Sequence, residues 1–102
     1  MTTNQNGENK IPKLNTKELI LVFFETLSAR CWARLGLIPD EYGEMKQDLD
    51  EARLAIDVLD KIIEGMDGKI EEKILKEMRG VVSNLKLNYV NQYEKSQKRS
   101  ED

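Results

Sequence analysis

An apolar run of six residues, Leu19–Phe24, constrains the fold of this chain more than any other segment. Apolar residues continue after it at Leu27, Cys31 and Leu35, at spacings typical of a helix. At 100° per residue, six consecutive positions cover the whole circumference of a helix. A chain of 102 residues has too little other material to wrap such a helix on every side. We therefore expect a second copy of the chain, another protein or a membrane surface to cover part of it.

Capping residues set the predicted bounds of this first helix. Asn15 and Glu18 have the spacing of a capping box just before the apolar run, and Gly36 is a favourable residue just past a helix end. A buried strand would also fit a six-residue apolar run. The cap and the continuing helical spacing nevertheless favour a helix over about residues 16–35. Pro39 then disfavours a helical conformation for the residue before it, which predicts an extended link.

Two further helices are predicted after this link. Asp48 and Glu51 form a second capping signature, and the apolar residues that follow recur at spacings of three and four, which predicts an amphipathic helix over about residues 49–65. A third helix is predicted over about residues 70–93, and the short link makes these two helices an antiparallel hairpin. The apolar positions of the second helix are Leu49, Ala52, Ile56, Leu59, Ile63 and Met66, with Leu54, Ala55, Val58 and Ile62 on its flanks.

The sequence thus predicts an all-α protein with a single helical domain at residues 15–93. Residues 1–14 are rich in Thr, Asn, Gln and Lys, and residues 94–102 carry mixed charge without an apolar anchor. Both are typical of disordered segments, an arm and a tail. Gly80 lies inside the third helix, where glycine costs about 1 kcal/mol relative to alanine. It indicates either close packing or a local weak point.

Charge and residue usage argue against several classes of function. The chain carries 16 basic and 19 acidic side chains, and residues 40–79 alone carry 13 acidic and 7 basic ones, which argues against a nucleic-acid partner. No histidine is present, so a histidine general base and every Ser-His or Cys-His pairing are excluded. One cysteine makes neither a zinc site nor an intrachain disulfide. We expect no catalytic activity, no metal and no cofactor.

The expected location is the cytoplasm. The first ten residues are polar and lie far from any apolar run, which is not the layout of a signal peptide. Glu25, Arg30 and Arg34 interrupt the apolar stretch of the first helix, so that a membrane-spanning helix is not expected.

Several segments, taken together and in order, resemble a known family. They are Arg34–Pro39, Leu49, Ala52, Ala55–Asp57, Leu59, Gly68 and Leu85–Val90. This set is similar to the bacterial family catalogued as domain of unknown function 1844, over about residues 16–93. The resemblance implies a small bacterial helical protein and no particular activity. The chain departs from the family pattern before the third helix, where Lys69 and Ile70 stand in place of a Thr or Ser cap.

We expect the first helix to pair with its counterpart in a second copy, with a dimer favoured, although an unidentified protein partner would also fit. Small side chains on one flank would let two helix backbones approach closely. Trp32 fits equally well in the core or as the anchor of an interface, where tryptophan is enriched. The candidate interface residues are Val22, Phe24, Ser28, Ala29, Trp32 and Ala33.

The alternative function is a peripheral membrane adaptor. In that case the first helix would present apolar side chains and arginines to an anionic surface, although it has few cations for an interfacial anchor. The residues concerned are Leu21, Phe24, Trp32, Arg30 and Arg34.

The two arginines of the first helix and its cysteine have structural interpretations beside functional ones. Arg30 and Arg34 lie one helical turn apart and would form either a site for an anion or acidic partner, or ion pairs with nearby carboxylates, or a partly buried pair with extended stems. We favour the structural interpretations. Cys31 lies on the apolar stripe, which favours a small core residue over a reactive thiol.

Acidic residues of the second and third helices are also interpreted as surface groups. Asp57 has Arg53 and Lys61 as its neighbours one turn away, which predicts a surface charge ladder. An enzyme that uses only carboxylates would need two inward-facing acids, and no such pair is evident. Glu71, Glu72 and Glu77 have lysine neighbours and favour a solvated face over a metal site.

Overall fold

The computed structural model describes residues 13–101, and over these residues the chain forms three helices and no strand. Helix α1 spans Thr16–Arg34, α2 spans Leu49–Met66 and α3 spans Glu72–Glu101. The predicted all-α class is confirmed. Residues 1–12 and 102, which belong to the predicted arm and tail, lie outside the described residues.

Both predicted N-caps are present. At α1, Asn15 Oδ1 accepts a hydrogen bond from the Glu18 N–H at 2.8 Å, and Glu18 Oε1 accepts one from the Asn15 N–H at 2.9 Å, which completes the capping box. At α2, Asp48 Oδ1 accepts a hydrogen bond from the Glu51 N–H at 3.1 Å. The Glu51 carboxylate pairs instead with Arg34, and the Asp48 N–H donates to the Arg34 carbonyl at 2.8 Å. The start of α2 is therefore tied to the end of α1.

A Schellman motif ends α1 at the predicted glycine. The Gly36 N–H donates to the Ala33 carbonyl at 2.9 Å, and the Leu37 N–H donates to the Trp32 carbonyl at 3.3 Å. Gly36 has φ +84°, a conformation that strains residues with a Cβ atom. A Cβ at this position would also lie 3.1 Å from Gln47 Cβ. The positive φ and the short distance to Gln47 both favour glycine at this position.

Helix α3 differs from its predicted bounds at both ends, beginning later than residue 70 and extending past residue 93. Residues 94–101, predicted as part of a disordered tail, are helical. Lysine, glutamine, glutamate and arginine are favourable helix residues, so the segment continues the helix without an apolar stripe. One hydrogen bond also holds it, since Arg99 Nη2 donates to Gln47 Oε1 at 3.3 Å. Just before the segment, Gln47 Nε2 donates to Gln92 Oε1 at 3.1 Å. A Cβ built at Gly80 would meet nothing within 4 Å, so close packing does not explain this glycine.

Helix α2 packs against both other helices, and its amphipathic pattern is confirmed by burial of its apolar side. Between α2 and α3, Asp67 pairs with Arg79 at 3.7 Å and Asp60 with Lys86 at 2.9 Å. Asp67 caps the end of α2, and the two pairs run in opposite order along the chain, which is compatible with the predicted antiparallel hairpin. The buried apolar core consists of Phe24, Cys31, Leu35, Ala52, Ala55, Ile56, Leu59, Ile63, Met66, Leu75, Met78, Val82 and Leu85.

Candidate interaction surface

Helix α1 buries one side in the core and leaves an apolar side exposed. On the exposed side, Leu19 retains 41%, Val22 42% and Phe23 56% of its full solvent exposure. The described residues form a buried apolar core, but they leave these three side chains exposed. We call this side the outer face of α1; its residues are Leu19, Val22, Phe23, Thr26 and Ala29.

The outer face follows from the helical repeat. Leu19, Val22, Thr26 and Ala29 recur at spacings of three and four residues, which places them along one side of the helix. The N-terminal part of this side carries the large side chains and the later part carries small ones. Thr26 Oγ1 donates to the Val22 carbonyl at 2.8 Å, so this hydroxyl is already hydrogen-bonded within α1. The outer face could therefore lose contact with water without leaving a polar donor unpaired.

A groove of about 810 Å³ lies beside the small residues of the outer face. Its lining is mostly apolar and comes from α1, from the loop after α1 and from the flank of α2, and we call it the α1–α2 groove. Phe23 also borders it, so the largest exposed side chain of α1 stands next to the concave part of the surface. The apolar residues that line the rest of the groove are Leu27, Ala29, Ala33, Ile38, Pro39, Val58 and Ile62.

The groove forms because the side chains of α1 at its floor are small, whereas residues of α2 and of the loop after α1 stand on either side. Ala29 and Ala33 leave space above the helix, whereas Val58 and Ile62 stand on the flank of α2 that the sequence predicted to be apolar. On the other side, the loop after α1 contributes Ile38 and Pro39 to the lining. The position of this loop therefore decides the shape of the groove.

Arg34 fixes that loop. Its Nη2 donates to Asp40 Oδ2 at 3.1 Å, its Nε donates to Glu51 Oε1 at 3.1 Å, and its Nη1 donates to the Lys46 carbonyl at 3.3 Å. The side chains of Arg34 and Asp40 are 10% and 1% exposed, so this ion pair is nearly buried. One guanidinium thus joins the end of α1, the loop and the start of α2, a role that suits its planar set of donors.

Asp40 also stabilises the turn that follows it in the chain. Its Oδ1 accepts hydrogen bonds from the N–H groups of Tyr42 and Glu44, each at 2.9 Å. The bond from Glu44, together with the Arg34 guanidinium and the bond from Tyr42, outweighs burial and holds the pKa of the Asp40 carboxyl below its ordinary value. Asp40 is therefore an ionised structural anchor.

A second ion pair lies at the border of the groove. Arg30 donates from both Nε and Nη2 to the Glu41 carboxylate. The hydrogen bond to Arg30 lowers the pKa of Glu41, and the same bond raises the pKa of Arg30. Both residues line the groove. The prediction that Arg30 and Arg34 pair with carboxylates is confirmed, and the guanidiniums are engaged within the chain.

The six predicted interface residues lie on different sides of α1. Phe24, Ser28 and Ala33 are buried within the chain, so they are not part of an accessible surface. Val22 and Ala29 are exposed on the outer face. Trp32 is partly buried and packs against the core.

Sequence reasoning missed the residues that complete the surface. Leu19 and Phe23 of α1 are exposed, and the groove also uses residues of the loop and of α2. The repeat of Leu19, Val22, Thr26 and Ala29 was a signal that could have identified the outer face. The contribution of Ile38, Pro39, Val58 and Ile62 depends on how separate elements meet, which no local pattern encodes.

The remaining candidates have the structural roles predicted for them. Cys31 is fully buried, with Sγ 3.4 Å from the Ala52 carbonyl, and burial raises the pKa of its thiol to about 11. Asp57 pairs with Arg53 at 3.5 Å on the surface, while Lys61 pairs with another residue, Glu64. The acidic side chains at the start of α3 are exposed; these are Glu71, Glu72 and Glu77.

Two further properties bear on function. Within residues 13–101, no three histidine, cysteine, aspartate or glutamate side chains come together in a way that could hold a metal ion. None of the three described helices combines the length and the apolar character that crossing a membrane requires.

Comparison with known proteins places the chain in a family. No curated protein and no solved structure matches it. A family model, described as domain of unknown function (DUF1844), matches residues 17–91, which include all but the first residue of α1, all of α2, the loop that joins them and most of α3. The match covers most of the chain and includes both the outer face of α1 and the α1–α2 groove. The chain therefore belongs to the DUF1844 family.

Proposed function

We propose that this protein is a non-catalytic interaction module that associates with itself through the outer face of α1. The observation that carries the proposal is that Leu19, Val22 and Phe23 stay exposed although the described residues form a buried apolar core. Three large apolar side chains side by side, next to an apolar groove, are typical of a surface that another molecule covers.

The energetics are compatible with a dimer. Full burial of an apolar side chain of this size contributes roughly 1.5–3 kcal/mol, and about half of that remains to be gained for side chains that are about half exposed. A two-fold interface buries each residue twice, so six such side chains contribute. Their sum lies within the range estimated for the cost of association, roughly 4–15 kcal/mol. The lining of the groove adds to it.

The state of the ionisable groups supports a non-catalytic role. Catalysis by acid and base needs groups that are free to exchange protons near neutral pH. Here the carboxylates of lowered pKa, Asp40 and Glu41, are engaged by arginines, and the Cys31 thiol is buried and protonated. The proposal includes a cytoplasmic location, which suits a buried cysteine in its thiol form.

Light scattering of the 102-residue chain tests the proposal. We expect the wild type to have twice the chain mass of 11.8 kDa. Val22→Glu places a charge on the outer face and should give the mass of one chain, with an unchanged circular dichroism spectrum. Leu87→Glu is the matched control, since Leu87 is an exposed apolar residue on α3, and it should associate like the wild type.

A wild type that stays monomeric at high micromolar concentration would overturn the proposal. Pelleting with anionic liposomes then tests the alternative, a peripheral membrane adaptor. If the wild type pellets and Val22→Glu does not, the outer face is a membrane surface.

A further inference from the structure

The outer face of α1 combines a projection and a hollow on one surface. Phe23 projects with 56% of its full exposure, beside Leu19 and Val22. Six residues further along the helix, Ala29 lines the α1–α2 groove. Each copy of the chain therefore carries both a projecting side chain and an apolar hollow that could receive one.

We propose that two copies pair with their α1 helices antiparallel, so that Phe23 of each copy enters the α1–α2 groove of the other. This inference rests on the proposed self-association and specifies its geometry. A two-fold interface is self-complementary, because each contact from the first copy to the second occurs again from the second to the first. A projection and a hollow on the same face meet that condition.

The spacing along α1 fits a two-fold axis that passes near Thr26. Phe23 and Ala29 lie three residues on either side of Thr26, or roughly 4.5 Å each way along the helix at 1.5 Å per residue. An antiparallel partner centred there therefore places Phe23 of one copy opposite Ala29 of the other. The Thr26 hydroxyl is hydrogen-bonded to the Val22 carbonyl, so its burial on the axis leaves no donor unpaired.

A parallel pairing fits the same surface less well. It would place Phe23 against Phe23 and the small residues around Ala29 against each other, so that two hollows face one another without a filling side chain. Unfilled apolar space forfeits the contacts that its lining would make. Antiparallel pairing instead places Phe23 of each copy over the small side chain of Ala29 in the other.

The charges of the surface also favour a second copy over an acidic or anionic partner. Arg30 lines the groove, but its guanidinium is engaged by Glu41. Arg34 is nearly buried and engaged by Asp40. Burial against an identical apolar face leaves both ion pairs intact, whereas recognition of an anion would have to break them.

Mixing two variants tests the reciprocal geometry. Phe23→Ala removes the projection, and Ala29→Phe fills the hollow; each alone should weaken homodimerisation by roughly thirtyfold or more, as expected for an interface hot spot. Mixed in equal amounts, they should form a heterodimer, because the intact Phe23 of one variant meets the intact groove of the other. At the second contact, the shortened side chain of Phe23→Ala lies opposite the enlarged side chain of Ala29→Phe, so the two do not clash.

Sedimentation velocity of each variant and of the mixture measures this outcome. A wild-type dimer with rescue in the mixture supports the inference. A wild-type dimer without rescue overturns the reciprocal geometry and leaves the proposed self-association standing. A wild-type monomer overturns both.

Disulfide trapping gives a second readout that does not depend on tolerance of Ala29→Phe. In a Cys31→Ala background, Phe23→Cys and Ala29→Cys proteins are mixed and oxidised. The inference predicts a disulfide that joins the two different variants. A disulfide between two copies of the Phe23→Cys protein as the dominant product would indicate parallel pairing and overturn the inference.

Discussion

Phe23 and Phe24 are neighbours in the chain with identical side chains, yet one is 56% exposed and the other 4%. They point about 100° apart on the same helix. Phe24 belongs to the side of α1 that packs against the core, and Phe23 to the outer face. One side of an apolar helix can thus stabilise its own chain while another apolar side stays exposed.

Substitution of these two residues should give the largest difference in the free energy of unfolding. Phe24→Ala removes a buried aromatic side chain and should lower the free energy of unfolding by about 3–5 kcal/mol. Phe23→Ala, measured at a concentration low enough to populate the monomer, should change that free energy far less. Urea denaturation followed by circular dichroism measures both. Equal losses from the two substitutions would mean that Phe23 packs within its own chain.

The two arginines of α1 show the same difference between a buried group and an exposed one. Arg34→Met keeps the bulk of the side chain but leaves the buried Asp40 carboxylate without its cation, so it should strongly lower the urea midpoint. Arg30→Met is the matched control one turn earlier. Its ion pair with Glu41 is partly exposed, and such pairs contribute little to stability. Similar midpoints for the two variants would contradict the role given to Arg34.

The Cys31 thiol tests the buried side of α1 through pH. Its pKa is raised from an ordinary value of 9.0 to about 11 in the folded protein, so above pH 9 the unfolded chain loses this proton while the folded chain keeps it. The stability that Cys31 contributes should therefore be constant below pH 9 and decline between pH 9 and about pH 11. Cys31→Ala should show a shallower decline over that range in urea titrations. Parallel pH profiles for the two proteins would contradict the burial of the thiol.

A smaller effect is expected at the start of α2. Asp48→Ala removes the side-chain cap and should lower the free energy of unfolding by about 1 kcal/mol. Because Asp48 lies away from the outer face of α1, the dimer mass should not change. An unaltered denaturation midpoint would mean that the cap contributes nothing to α2.

The sequence predicted the start of α1 and α2 because their signals are local. Asn15 and Asp48 act through hydrogen bonds to the third residue of each helix, and Gly36 acts through its own backbone conformation. The end of α3 was placed too early because residues 94–101 lack an apolar stripe. They are held instead by helix propensity and by a hydrogen bond to Gln47, which lies far away in the sequence.

The outer face of α1 and the α1–α2 groove could be predicted only in outline. The six-residue apolar run showed that α1 exceeds what this chain can cover, but periodicity does not say which side faces inward. For that reason the sequence places Phe24, and not Phe23, among the candidate interface residues. The groove needs Ile38 and Val58 beside Ala29, and Arg34 sets part of that arrangement through ion pairs that only the fold assembles.

We propose that the outer face of α1 stabilises the protein by association, while the inner side stabilises the single chain. The concentration dependence of the thermal midpoint tests it most directly, because a dimer is stabilised by mass action and a monomer is not. We predict that the wild-type midpoint rises from low to high micromolar protein, whereas that of Phe23→Ala stays constant over the lower part of that range. A wild-type midpoint that does not change with concentration would contradict the claim.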